Sequence, residues 1–174
     1  MIIPGFIVSW ITFPGVIVHE LAHKIFCHLT GTRVVQVCYF RLGNPAGYVI
    51  HEQPTSVWKH ILIGIGPFFL NTILGLVLGL MALALKHAMH QENFAFGLLV
   101  WLAISIAMHS FPSSGDAKSI WRAVWERQSP ILAKIVASPL VAVIFIGAIG
   151  SIFWLDLAYG FLIVFGVPEF FHLH

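Results

Sequence analysis

The chain has 174 residues, of which 59% are hydrophobic and only 9% are Asp, Glu, Lys or Arg. A soluble domain carries about 25% charged residues, and a chain of this length cannot bury so much apolar surface in one water-soluble core. The composition therefore excludes an ordinary soluble domain and predicts an integral membrane protein, while the net charge of +2 gives no indication of nucleic-acid binding.

Long apolar runs predict four or five transmembrane helices. The runs lie at residues 2–27, 61–85, 94–109, 131–153 and 155–168. Pro4 and Pro14 are expected to bend the first helix. Asp156 and Gly160 interrupt the last apolar block and divide it in two. Because spanning takes about 20 residues, the fifth run is short, and four helices are the alternative count.

Two polar connections separate these helices. In the first, β-rich runs at Arg33–Leu42 and Gly47–His51 flank a Gly-Asn-Pro turn segment, which predicts a β-hairpin. In the second, residues 110–130, Trp121 and Trp125 lie one helical turn apart, which predicts an amphipathic interfacial helix. The predicted fold is thus an all-α polytopic membrane protein with a small β-hairpin between helices 1 and 2.

The basic residues predict which side of the membrane each connection faces. Lys24, Arg33, Arg41 and Lys59 flank or lie in the first connection, and Lys118, Arg122, Arg127 and Lys134 flank or lie in the one before residue 131. The connection between residues 85 and 94 has Lys86 alone. By the positive-inside rule, the two basic connections are cytoplasmic. We expect a location in the cell (inner) membrane with the functional site toward the cytoplasm.

The first apolar run contains the pattern His-Glu-x-x-His at His19, Glu20 and His23. On a helix, the two histidines lie one turn apart on the same face, where their rings can bind one Zn²⁺ ion. Glu20 can then act as general base toward a water molecule at the metal. Because ionisable groups in lipid-facing helices are costly and usually functional, a zinc site is favoured over a chance grouping of these residues on an amphipathic helix.

A catalytic zinc site needs a third protein ligand and an open fourth position. The candidates are His51, Glu52, His109, Asp116 and Asp156. The predicted topology puts Asp116 and His109 on the same side as the two histidines of helix 1, and puts Asp156 on the opposite side. Asp116 follows a segment with Pro and Gly that can fold back into the bundle, although an N-cap of the next helix is an alternative use of this residue. The third ligand is therefore Asp116 or His109.

The whole arrangement resembles the site-2 protease family of intramembrane zinc proteases over about residues 10–120. Residues 46–49 (AGYV) resemble the Gly-Tyr-Val end of that family's hairpin. Residues 66–71 (GPFFLN) resemble its Gly-Pro-x-x-Asn signature, with one extra residue before the Asn. Residues 109–116 (HSFPSSGD) resemble its Asn-x-x-Pro…Asp-Gly element, except that His replaces the Asn and the Gly precedes the Asp.

The resemblance implies roles for three further residues. It makes Asp116 the third zinc ligand, and it places His109 where the family has Asn, so that His109 either orients a ligand or binds the metal. Asn71 is expected to hold the substrate backbone near the metal or, alternatively, to form a hydrogen bond between helices. The resemblance also implies a minimal member without regulatory domains. Residues 1–174 would form one metalloprotease domain, with helices at about 131–168 added to the core.

These observations predict an intramembrane zinc metalloprotease that hydrolyses a peptide bond in a membrane-protein substrate near the cytoplasmic side. The expected partners are a transmembrane segment and the lipid bilayer, with no nucleic acid. Two alternatives stay open: a membrane zinc transporter or metal-binding protein, and an inactive homologue that binds membrane helices. The single-sided cluster of ligands and the presence of Glu20 favour the protease over the transporter, and the intact His-Glu-x-x-His favours it over the inactive homologue.

Overall fold

The computed structural model describes residues 5–89, 93–125 and 129–172, which form helices and one small antiparallel sheet. In chain order the elements are α1 (Gly5–Ile11), α2 (Phe13–Leu29), β1 (Val34–Cys38), β2 (Tyr48–His51), α3 (Val57–Met89), α4 (Phe94–Met108), α5 (Ser114–Trp125), α6 (Ile131–Gly150), α7 (Leu155–Phe161) and α8 (Val167–His172). A 3₁₀ turn extends α6, and a π-helical turn joins α7 to α8. The predicted fold class is confirmed.

Fewer helices than expected are long enough to cross a bilayer. Among the described residues, two stretches meet the length and hydropathy of a span, Val57–Ala88 and Ile131–Phe153. A third is added if α1 and α2 form one broken span. The 15 residues of α4 would reach only about 22 Å at 1.5 Å per residue. The fifth predicted crossing lies in a helical stretch at residues 155–172, in which a π-helical turn at Leu162–Gly166 separates α7 from α8.

The first predicted helix is bent by 89° between α1 and α2. Pro14 lies in the first turn of α2. The backbone N–H groups of a first turn have no partner within the helix, so a proline is tolerated there. The bend falls just before Pro14, as predicted. Pro4 lies outside the described residues. The Ser105 hydroxyl on α4 donates to the Thr12 carbonyl (2.9 Å) and accepts from the Gly15 N–H (3.0 Å). The bend is therefore fastened to α4.

Close helix contact at Gly15 positions the functional part of α2. A Cβ atom on Gly15 would lie 1.9 Å from the Ser105 carbonyl oxygen and 2.7 Å from His109 Nδ1. Only a residue without a side chain allows this approach of α2 to α4. At a second contact, a Cβ on Gly75 of α3 would lie 2.7 Å from the Ala107 Cβ of α4. Small residues thus bring α2, α3 and α4 together, as is usual for helices packed in a membrane.

We expect Gly15→Ala to separate α2 from α4 and to lower stability by at least the 1–3 kcal/mol typical of overpacking. The reason is that the new methyl group would meet a backbone carbonyl, which cannot move out of the way. The matched control is Gly97→Ala on α4, where a Cβ would meet nothing within 4 Å. Thermal unfolding of both variants in detergent measures the effect. Equal melting temperatures for the two variants would contradict this account of the helix contact.

The hairpin and α5 match the two predicted connections. β1 and β2 pair antiparallel, with Val37 opposite Val49 and Cys38 opposite Tyr48. On α5, Ala117, Ile120 and Val124 are fully buried and pack with residues of α3 and α6, while Trp121 and Trp125 are exposed. The helix is therefore amphipathic, as predicted, and its buried side fixes the position of its first turn.

Candidate metal centre

His19, His23 and Asp116 form a compact group of possible metal ligands. One nitrogen or oxygen atom from each lies within 4.8 Å of the others. The Nε2 atoms of the two histidines are 3.2 Å apart, and His23 Nε2 lies 3.5 Å from Asp116 Oδ1. Two imidazoles and one carboxylate are a donor set typical of catalytic zinc.

Backbone carbonyls hold both histidine rings in a ligand orientation. His19 Nδ1 is 2.8 Å from the His109 carbonyl oxygen, and His23 Nδ1 is 2.9 Å from the Ile63 carbonyl oxygen. A carbonyl oxygen only accepts, so each Nδ1 carries the proton, and in the neutral ring Nε2 presents a lone pair. Two such lone pairs facing each other across 3.2 Å repel unless a cation or proton lies between them. The donor set therefore fits a zinc ion.

Asp116 belongs to the group through one oxygen and caps α5 through the other. Its Oδ2 accepts from the Ser113 N–H (2.7 Å) and hydroxyl (2.6 Å), and its own N–H donates to Ser113 Oγ (3.2 Å). This reciprocal pattern is a capping box in which Ser113 is the N-cap and Asp116 is the third residue of the helix. The alternative that Asp116 is itself the N-cap is therefore wrong, and its place in the box leaves Oδ1 free for the ligand group. Burial alone would raise the pKa of Asp116, but a protonated His23, followed by His19 and the hydrogen bond from Ser113, would hold that pKa well below its usual range. The ionised carboxylate is also the form that binds a metal.

Glu20 lies beside this group and is 8% exposed. Within the described residues its carboxylate forms no hydrogen bond, so it can accept a proton from a bound molecule. The start of β2 covers it: a Cβ on Gly47 would lie 2.6 Å from Glu20 Cγ and 3.0 Å from Oε1. The glycine of the predicted AGYV motif therefore leaves the space that this carboxylate occupies.

These residues face one cavity of about 700 Å³. Its walls include the ligand group with Glu20, the hairpin turn with its second strand, the segment before α5, and part of α6 and α7. The hairpin and the start of α5 meet at the same cavity. The cavity offers the polar surroundings that water needs within an otherwise apolar bundle.

His109 contributes its backbone to the ligand group. Its carbonyl accepts from the His19 ring, while its own Nδ1 donates to the Ser105 carbonyl (2.9 Å). The ring lines the cavity but is not part of the three-residue group. Of the two candidates for the third ligand, the geometry therefore favours Asp116, and His109 acts by orienting His19.

Asn71 lies inside the helix bundle and does not line the cavity. It is 0% exposed, and its side-chain Nδ2 lies 3.2 Å from both the Ile106 and His109 carbonyl oxygens and 3.4 Å from that of Gly15. This geometry favours the alternative of a hydrogen bond between helices over contact with substrate. Because the His109 carbonyl also accepts from His19, Asn71 helps to hold a candidate zinc ligand in place.

We expect Asn71→Ala to weaken zinc binding by about 10–100-fold, the range typical of losing a group that orients a metal ligand. The matched control is Asn93→Ala, which removes the cap of α4 at its Oδ1–Phe96 N–H bond. That variant should lose stability and keep its zinc affinity. Competition with a chelator measures zinc affinity in both variants. An unchanged affinity in Asn71→Ala would remove this residue from the metal centre.

The other candidate ligands lie outside the group. Glu52 pairs with Arg33 at the surface (3.3 Å), and His51 lines the cavity without joining the ligands. Asp156 also lines the cavity but is not part of the three-residue group, and its predicted side of the membrane stays a prediction. The cavity extends from the hairpin along the end of α4 to the first turn of α7, where the left-handed Trp154 (φ 61°) precedes Asp156.

Sequence reasoning missed the residues that support the ligands. Ser113 could have been found, because Ser-x-x-Asp before a helix is a capping signature. The carbonyl oxygens of Ile63 and His109 carry no signal in the sequence, since any residue at those positions supplies one. Ser105 is likewise an ordinary small residue until α2 and α4 are placed together.

Comparison with known proteins agrees with this centre. Residues 12–132 match the DUF3267 family, which is described as "Putative zincin peptidase". The match covers the ligand group, Glu20 and the hairpin, and zincins bind zinc. No curated protein and no solved structure matches the chain. The matched segment is more than half of the chain, and the protein therefore belongs to this family of zincin peptidases.

Proposed function

We propose that the protein is an intramembrane zinc metalloprotease, similar to site-2 proteases, that hydrolyses a peptide bond in a membrane-spanning segment near the cytoplasmic side. The observation that supports this most is the position of the ligand group. It lies on α2 and α5, inside a cavity bounded by helices apolar enough for a bilayer. We further propose that residues 1–174 act as one membrane-embedded domain, whose α6–α8 are added to the core.

His19, His23 and Asp116 would hold the zinc ion, which when bound lowers the pKa of water to roughly 7 and polarises a carbonyl group. Glu20 then accepts the proton of the attacking water and donates a proton to the leaving amine. The lack of a hydrogen-bond partner for its carboxylate within the described residues suits this role. The His109 and Ile63 carbonyls keep the ligand rings fixed, so that little reorganisation accompanies the reaction.

The substrate would enter as an extended strand next to the hairpin. A helical peptide bond is shielded by its own hydrogen bonds and side chains, so the scissile segment must unwind before hydrolysis. β2 borders the cavity and, within the part of the chain that the structure describes, pairs with β1 on one side only. Its other edge offers backbone groups to a strand bound beside Glu20.

The test is cleavage of a panel of single-pass membrane proteins by the purified chain in liposomes, with His19→Ala beside it. Mass spectrometry of the products locates the cut. The proposal expects cuts within or at the end of the transmembrane segment, and none by the variant. Cuts confined to water-soluble peptides would leave a zincin peptidase without intramembrane specificity. Zinc flux without any cleavage would favour the transporter.

Sidedness is expected to follow the basic residues. The hairpin and α5 would face the cytoplasm, and the connection near Gln91, outside the described residues, would face the other side. Single cysteines at Gln53, Ser129 and Gln91 in a chain without Cys27 and Cys38 can be labelled in intact cells with a membrane-impermeant reagent. Only the position at Gln91 should react. Labelling at Gln53 would reverse the proposed orientation.

A further inference from the structure

A second space lies on the face of α5 that is turned away from the metal centre. It is a groove of about 440 Å³ between α5 and α6. Its walls are Lys118, Trp121, Arg122, Ser138, Val141, Ala142 and Phe145. Lys118, Trp121 and Arg122 come from α5. Trp121 and Arg122 follow Lys118 by three and four residues, so all three lie on one face of that helix. The groove therefore combines a basic, aromatic wall with an apolar one.

The α5 wall and the α6 wall of the groove differ in polarity, as the headgroup and the acyl chains of a lipid do. Lys118 and Arg122 are exposed and form no ion pair within the described residues. Two adjacent cations without a partner favour an anion, and Lys and Arg side chains are the usual ligands of phosphate. The α6 wall offers the apolar side chains of Val141, Ala142 and Phe145, together with Ser138, whose hydroxyl already donates to the Lys134 carbonyl (2.7 Å). An occupant must therefore carry a negative charge at one end and hydrocarbon at the other.

The position of the groove indicates what surrounds it. α6 belongs to a candidate membrane span in which only 22% of the most apolar stretch is buried inside the protein, so most of its surface is free to contact lipid chains. α5 is amphipathic, and Trp121 and Trp125 are exposed, with ring centroids 5.1 Å apart. Exposed tryptophans next to basic residues are typical of the membrane–water boundary. The basic wall would thus lie at the level of lipid phosphates and the apolar wall below it.

We propose that the groove between α5 and α6 is a binding site for an anionic phospholipid, with the phosphate on Lys118 and Arg122 and an acyl chain against Ala142 and Phe145. The site is distinct from the metal centre, but the same helix connects them. Asp116, at the start of α5, and Ile120 border the metal cavity, while Lys118 and Arg122 line the groove. A bound lipid would hold α5 against α6 and so keep Asp116 in place.

The test measures retained lipid by native mass spectrometry after purification of the full chain from liposomes of phosphatidylcholine and phosphatidylglycerol. Wild type should retain phosphatidylglycerol in preference to phosphatidylcholine. The double variant Lys118→Gln, Arg122→Gln should lower that retention roughly thirtyfold, because each basic residue near an anionic surface contributes about a fivefold gain. The charge-matched control is Arg33→Gln, Lys59→Gln, which should retain lipid as wild type does.

A third variant tests whether lipid binding needs the groove itself or only its basic residues. Ala142 is exposed and lines the apolar wall, so Ala142→Trp should fill the groove while the basic residues stay in place. We expect it to lose phosphatidylglycerol as well. Full retention by Ala142→Trp, equal loss in the two charge variants, or equal retention of both lipids by wild type would each overturn the proposal. Far-UV circular dichroism, measured alongside, shows whether the variants are folded, and these outcomes do not depend on zinc binding or peptidase activity.

Discussion

Replacing Glu20 by Gln is expected to abolish most peptide hydrolysis while leaving zinc bound. Gln keeps the size and hydrogen-bonding capacity of the side chain, but it cannot accept the proton of water. Loss of general acid–base help typically costs 10²–10⁴-fold in rate. Zinc should stay because Glu20 is not in the ligand group of His19, His23 and Asp116.

The matched control is Glu52→Gln. Glu52 is the neighbour of a cavity residue in sequence, but it pairs with Arg33 on the surface, and a surface ion pair contributes little to stability. Cleavage of a membrane substrate and zinc content are measured on the same samples. Equal cleavage by wild type and Glu20→Gln would remove Glu20 from the mechanism, and loss of zinc in Glu20→Gln would make it a ligand.

Replacing Asp116 by Ala is expected to lower zinc affinity by at least about 100-fold. Loss of a group that only orients a ligand already costs 10–100-fold, and Asp116 would supply one of three ligand atoms. The control is Asp156→Ala, which removes a carboxylate from the same cavity and should leave zinc affinity unchanged. Chelator competition gives all affinities.

Two further variants separate the roles of Asp116 and His109. Asp116→Asn keeps an oxygen that can accept from Ser113 and so preserves the cap of α5, but a neutral amide is a poor zinc ligand, so zinc affinity should still fall. His109→Ala keeps the backbone carbonyl that holds His19 and should retain most zinc. Full zinc occupancy in Asp116→Ala together with loss in His109→Ala would make His109 the third ligand.

Local patterns predicted much of the fold. The helices α3 and α6 and the two strands lie where the apolar runs and the turn residues indicated, because each depends on neighbours in sequence. The number of spans was not predictable in this way. The 89° bend between α1 and α2 is fastened by Ser105 of α4, which is 90 or more residues away in the sequence.

The candidate site, like the fold, could be predicted only in part from local sequence patterns. His19, Glu20 and His23 could be found because their spacing is that of one helical turn. Asp116 needed the additional expectation that the chain after α4 folds back. The positions of Asn71 and Asp156 depended on packing: Asn71 is buried between three helices, and Asp156 reaches the cavity through the turn at Trp154. No sequence spacing encodes these contacts.

The central claim is that this chain is a zinc-dependent peptidase acting on membrane-spanning substrates. The most direct measurement is cleavage of a single-pass substrate in liposomes by the purified protein, before zinc removal, after it, and after zinc is returned. The account predicts that cleavage stops when zinc is removed and resumes when one zinc per chain is restored. Cleavage that continues in the zinc-free protein, or no cleavage of any substrate by the fully loaded protein, would contradict it.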